Sequence, residues 1–227
     1  MGDETSVFEP WAPSRSEVAR LSGAHSPLFF RMPPGAGDMC VSHEPASFGV
    51  RMTERRHVAM VNVRGQARVS RFIEAMAACC DMRLPLAANT ASSVNGMLAC
   101  WMSPDEWLLL GAPGTAKALV ERLTAHLEGL HFAVTDVSSG HTTIRLRGEQ
   151  VQPTLAKGCA LDLHEAVFTP GQCAQTLIAK TQVLIIRRSG CFDLIVRRSF
   201  ADYLWLWLSD AAAEYELYRD AEVADRP

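Results

Sequence analysis

The sequence predicts an α+β fold of two tandem ferredoxin-like split βαβ units. Three observations predict it. Hydrophobic periodicity gives the order β-α-β-β-α-β between residues 57 and 137. The pattern restarts at Thr142, and the first strand of each unit closes on the same dipeptide, Arg64-Gly65 and Arg147-Gly148. The expected division is an irregular arm over 1–38, a first βαββαβ unit over 39–138, a second related α+β unit over 139–218 and an acidic tail over 219–227.

Each element has a local reason. The arm is rich in Pro, Gly and Ser, as in Met32-Pro33-Pro34-Gly35-Ala36-Gly37, and has too few apolar residues for a core. Trp11, Leu28, Phe29 and Phe30 are nevertheless expected to lie against the protein's own surface or a neighbour's. His57 to Val63 is β-branched and apolar, which predicts a strand. Val69, Phe72, Ile73, Met76, Ala77 and Cys80 then form one helical stripe. Met97 to Met102 and Glu106 to Leu110 read as two strands joined by the turn Ser103-Pro104-Asp105. Thr115 is the expected N-cap of a second helix with Ala116, Leu119, Val120, Leu123 and Leu127 on one side, and Phe132 to Val137 is the next strand.

In the second half, Thr142 to Leu146 reads as a strand and Val151, Thr154 and Leu155 as a short helix. Strands are expected near 172–180, 183–188 and 191–197. A final helix starts at Ser199, which has capping-box spacing to Asp202. Its expected core stripe is Phe200, Tyr203, Leu204, Trp207, Leu208 and Ala211, which leaves Trp205 on the opposite side and Leu206 on a flank. An indole kept outside suggests buried contact with a partner, although lone exposed aromatics also occur. Six acids follow Ser209, and the last dozen residues are expected to fray.

Composition excludes several classes. The 227 residues carry 22 Lys+Arg against 25 Asp+Glu, a net charge of −3, which argues against nucleic-acid binding by bulk charge and against a polybasic membrane surface. The N-terminus has Asp3, Glu4 and Glu9 where a secretory signal would be basic and then apolar. No apolar tract approaches the roughly 18 residues needed to span a bilayer. Seven scattered cysteines do not read as a disulfide framework, so a reducing, cytoplasmic setting is expected.

Familiar chemical constellations are missing from the sequence. The cysteines at 40, 79, 80, 100, 159, 173 and 191 lack zinc-ligand spacing, and His164-Glu165 is followed at position 168 by Phe rather than a second histidine. Gly111 to Lys117 lies between strand and helix like a phosphate loop, but Lys117 is flanked by Ala116 and Ala118, so a tight turn is the alternative. Arg51, Arg55, Arg56, Arg64, Arg68 and Arg71 are opposed only by Glu54, forming either an anion surface or solvated faces. His141 and His164 have no orienting base nearby in sequence. Asp136 caps a turn or contacts a ligand. No catalytic, cofactor-binding or metal residue is therefore assigned to this chain.

One set of stretches runs in order from about residue 58 to 210. It comprises Val61-Asn62-Val63-Arg64-Gly65, Leu84-Pro85-Leu86 with Asn89, Ser103-Pro104-Asp105-Glu106-Trp107-Leu108-Leu109-Leu110 and Thr135-Asp136-Val137-Ser138. It continues with Leu146-Arg147-Gly148, Ala156-Lys157-Gly158-Cys159-Ala160-Leu161-Asp162-Leu163-His164, Cys173-Ala174-Gln175-Thr176 and Val196-Arg197-Arg198-Ser199-Phe200-Ala201-Asp202-Tyr203-Leu204-Trp205. These resemble the gamma subunits of heterotetrameric sarcosine oxidase, within the wider folate-binding aminomethyltransferase-like fold.

The resemblance implies a complex that oxidatively demethylates sarcosine to glycine, with hydrogen peroxide and a one-carbon unit passed to tetrahydrofolate as the other products. It implies alpha, beta and delta subunits as partners, with FAD, FMN, NAD, zinc and the folate site on those chains. The gamma chain is then structural, and Trp205, Arg197, Arg198 and Leu206 are the candidate subunit interface. A stand-alone folate-binding protein, with Asp136 near the pterin, and an oxidase of another secondary amine are the alternatives.

Overall fold

Two stacked sheets account for the long apolar runs, because strands covered on both faces need no polar alternation. In the computed structural model residues 26–28, 31 and 49–221 are described. The first sheet holds β2 (Ala59–Gly65), β3 (Ala91–Val94), β4 (Met97–Ser103), β5 (Glu106–Gly111) and β6 (Phe132–Asp136), in the order β3-β4-β5-β2-β6. With the hairpin strand β3 set aside, this is the split βαβ order, with α1 (Ser70–Cys80) and α2 (Ala116–His126) as its crossovers. Trp107 and Leu109 of β5 face α1 and α2 beside Phe72, Met76, Leu119 and Leu123. Leu108 and Leu110 point the other way, onto the second sheet.

The second sheet has the order β11-β1-β7-β10-β9-β8. Its strands are β1 (Val50–Arg55), β7 (His141–Arg147), β8 (Cys173–Ile178), β9 (Thr181–Arg188), β10 (Cys191–Arg197) and β11 (Leu217–Ala221). The helices α3 (Val151–Ala156) and α4 (Ala201–Ala211) cover its outer face. Phe192, Leu194 and Val196 of β10 pack under α4, while Ile195 meets Met60, Cys100 and Leu108 between the sheets. The result is helix, sheet, sheet, helix. Buried beside this inner layer, Arg145 donates a two-pronged pair to Asp193 at 2.7 and 2.8 Å.

Several expectations are corrected. Val50–Arg55, expected within the first unit, pairs in the second sheet, antiparallel to β7 and parallel to β11. Residues 217–221, expected to begin the frayed end, form that edge strand. The capping box does not form: residues 198–200 make a 3-10 turn, α4 has no side-chain cap, and Asp202 instead pairs with Arg31 at 2.5 and 3.0 Å. Thr115 is the N-cap residue of α2 as expected, but its side chain makes no cap hydrogen bond, because its hydroxyl donates to the Ala112 carbonyl. Leu28 is fully buried in the second core and Ser26 donates to Glu54, so this part of the arm lies on the protein's own surface. Trp11, Phe29 and Phe30 lie outside the described residues.

Candidate functional site

The final helix settles against the sheet on a different face from the expected one. Its buried residues are Ala201, Leu204, Trp205, Leu208 and Ala211, a stripe turned by roughly 70° from the expected one. Trp205 is 2 % exposed and belongs to the core, so it is not an interface anchor. Trp207 is half-buried, and its ring lies where a Cβ on Gly158 would sit, 2.5 Å from that position, so glycine is what permits the contact. Leu206 is half-buried, and Arg197 and Arg198 are exposed. The aromatic surface comes instead from two residues assigned in sequence to the core. Phe200 is 48 % and Tyr203 38 % exposed, one helical turn apart.

Between the sheets, below this helix's start, a cleft of about 520 Å³ is bordered by Asn62, Glu106, His141, Gln175, Gln182 and Arg197. Several of its polar groups are already engaged within the protein. Asn62 Nδ2 donates to Glu106 Oε1 at 2.7 Å, Arg64 donates to Glu106 Oε2 at 2.8 Å, and Gln175 donates to the Met102 carbonyl. The Nδ1 of His141 lies 3.2 Å from the Val137 carbonyl, a backbone partner rather than a carboxylate. Asp136 caps its turn: one oxygen accepts from the Ser138 N–H at 2.9 Å and from the Ser138 hydroxyl at 2.5 Å. His164 accepts from the Ala166 N–H and sits in a turn that Asp162 closes. Among the described residues no three His, Cys, Asp or Glu converge as a metal site.

The six cysteines among the described residues are all buried, and the hydrogen bond with Cys100 holds the Cys173 thiol below its ordinary value. Cys80 is pushed up to about 12, chiefly by burial and then by its neighbour Cys79. The hydrogen bond that the Cys100 thiol makes to Cys173, and then burial, push Cys100 well up.

The basic run of the sequence is split by the fold. Arg64 pairs with Glu106, and Arg51 stacks on the Tyr218 ring at 5.4 Å. Arg68 and Arg71 are exposed. Arg55 and Arg56 turn into a second cleft of about 640 Å³, where they meet Arg122 of α2, Arg188 at the end of β9 and the turn Gly111–Thr115; Lys117 does not line it. Local spacing carried no sign of this convergence, since the four arginines come from three distant segments. The one available hint was the paired charge, Arg187-Arg188, that ends an otherwise apolar strand.

Known proteins agree with the layout. The chain is 28% identical over 92% of its length to the sarcosine oxidase subunit gamma of Corynebacterium sp. strain U-96, covering 96% of that protein. A 29% identical match to the sarcosine oxidase subunit gamma of an Arthrobacter species covers 62% of this chain and 70% of that one. Among solved structures, heterotetrameric sarcosine oxidase from Corynebacterium sp. U-96 in complex with pyrrole 2-carboxylate matches with a TM-score of 0.73 and 26% identity, over 84% of this chain and 95% of that one. Aminomethyltransferase T of the Bartonella henselae glycine cleavage system shares the fold, with a TM-score of 0.57 and 16% identity, over 77% of this chain and 48% of that one. The family described as "Sarcosine oxidase, gamma subunit family" matches residues 64–214. With two-thirds of its length so matched, the chain belongs to the sarcosine oxidase gamma subunit family.

Proposed function

We propose that this chain is the gamma subunit of a heterotetrameric sarcosine oxidase and that it serves assembly rather than catalysis. The observation carrying the proposal is the end-to-end likeness to a curated gamma subunit, 92% of this chain against 96% of the other. The exposed Phe200 and Tyr203, bordered by Arg197 and Arg198, support a protein partner on the α4 side, since aromatics and arginine are enriched where protein interfaces are buried. In this reading alpha, beta and delta chains complete a cytoplasmic complex that demethylates sarcosine to glycine, with hydrogen peroxide and a one-carbon unit for tetrahydrofolate as the other products.

FAD, FMN, NAD, zinc and tetrahydrofolate then belong to the other chains. Supporting this, Lys117 does not line the Gly111–Thr115 turn as a phosphate-loop lysine would, and His164 and Asp136 are each engaged in closing a turn.

Co-expression of the four chains tests the proposal. The gamma chain is expected to co-elute with flavin absorbance, and a monodisperse gamma chain that never joins flavin-bearing subunits overturns it. A Phe200→Ala/Tyr203→Ala double variant is expected to weaken assembly by about 30-fold, as for an anchor worth about 2 kcal/mol. The melting temperature of the isolated chain is expected to stay put, because both rings are exposed.

The shared fold with aminomethyltransferase T favours a second reading, a stand-alone folate-binding protein. Titration of the isolated chain with tetrahydrofolate separates the two readings, since only the second expects tight, saturable binding. Activity of the assembled complex on sarcosine and on other secondary amines identifies the substrate.

A further inference from the structure

We propose that the cleft between α2, the β1–β2 corner and the end of β9 is a binding site for a small organic polyanion. Four guanidinium groups line one space of about 640 Å³, the size of an ordinary small-molecule pocket, and among the described residues no Asp or Glu stands in its wall. Gathering like charges around one opening is unfavourable in the empty protein, and an anionic ligand reverses the sign of that interaction. The overall charge of −3 makes the concentration a local feature rather than a by-product of a basic chain.

The arginines are held in place from behind. His57, in the left-handed region at φ 57°, turns the chain from β1 into β2 and brings Arg55 and Arg56 to the rim. Arg122 Nε donates to Cys79 Sγ at 3.4 Å. Two carboxylates lie behind the wall, and both have other partners. Glu54 is 3.5 Å from Arg56 and accepts from the Ser26 and Thr142 hydroxyls at 2.6 and 2.8 Å. Asp193 is 3.7 Å from Arg188 and accepts both prongs of Arg145.

The first turn of α2, with neither an acidic residue nor a side-chain cap, adds open N–H donors and the positive end of a helix dipole beside Thr115. Val58, Leu98, Leu110 and Leu119 supply an apolar floor. The site therefore suits a ligand with an apolar body and two or more anionic groups. Phosphates and carboxylates share the planar, bidentate recognition that arginine offers.

Calorimetry on the full chain tests this, with inorganic tripolyphosphate and a triglutamate peptide as probes. Saturable binding of either probe, weakening as salt rises, is expected, and the better probe identifies the source of the charge. Arg122→Gln and Arg55→Gln are each expected to weaken binding about tenfold, the loss of one charge-assisted contact. Arg64→Gln, outside the cleft, is expected to leave binding unchanged. Absence of saturable binding by both probes, or equal losses in all three variants, overturns the proposal. Loss of subunit assembly in Arg122→Gln with anion binding intact also overturns it, because the cleft would then serve a protein.

Discussion

The Trp205 indole fills the space between α4 and the second sheet, so Trp205→Ala leaves a cavity rather than a bare surface. The expected cost is about 3–5 kcal/mol, read as a lower urea midpoint of the isolated chain. Cys80 gives a pH dependence whose sign is fixed by burial. Its thiol ordinarily titrates near 9.0, whereas in the folded chain it holds its proton to about 12. Above pH 9 the unfolded chain loses a proton that the folded chain keeps, so folding stability falls as pH rises through this window. Melting curves at pH 7, 9 and 10.5 are expected to show this loss, and Cys80→Ala is expected to lose less than the parent over the same range.

At the scale of elements, strands and helices with local pattern were legible and those made by distant pairing were not. β5, β9 and β10 announce themselves as apolar runs because both of their faces are covered. β1 reads Val50-Arg51-Met52-Thr53-Glu54-Arg55, a half-polar string that becomes a strand only because β7 and β11 lie on either side of it. The phase of α4 was misread for a similar reason. Phe200, Tyr203 and Trp207 make as good a 3.6-residue stripe as Ala201, Leu204, Trp205 and Leu208, and tertiary contact chooses between them.

In the candidate sites, the engaged state of Asp136 was legible from its place after a strand. The arginine cleft was not, because Arg55 and Arg56, Arg122 and Arg188 come from three segments far apart in sequence and meet only in the folded chain. One prediction belongs to β11. Ending the chain after Glu216 turns β1 into an open edge, and a lower melting temperature with concentration-dependent self-association in light scattering is expected.

In the whole molecule, three buried layers follow one another: a helix layer on each outer face and a sheet-to-sheet seam of Met60, Cys100, Leu108, Cys173, Ile186 and Ile195. The two halves are not independent. The first sheet buries one face on the second, and the second sheet borrows β1 from ahead of the first. Expressed separately, residues 139–221, deprived of β1, are therefore expected to lack stable structure by circular dichroism and residues 49–138 to keep only a marginal first sheet with its inner face uncovered, while the full chain unfolds in a single cooperative transition. Mixing the two fragments is expected to recover the fold in part, because the pairing of β1 with β7 and the seam between the sheets are restored while the contacts of Ser26, Leu28 and Arg31 are not.

The placement of β1 also sets an order of events during synthesis. Val50–Arg55 is among the first described strands to be made, yet its antiparallel neighbour arrives some ninety residues later and its parallel neighbour only with Leu217–Ala221. The first sheet can close on the ribosome as soon as β6 emerges, since its five strands are contiguous in the chain. The second sheet cannot be completed until residue 221 has been added. Throughout elongation the growing chain therefore carries a folded first sheet with its inner face, Met60, Leu98 and Leu108 included, still waiting for cover.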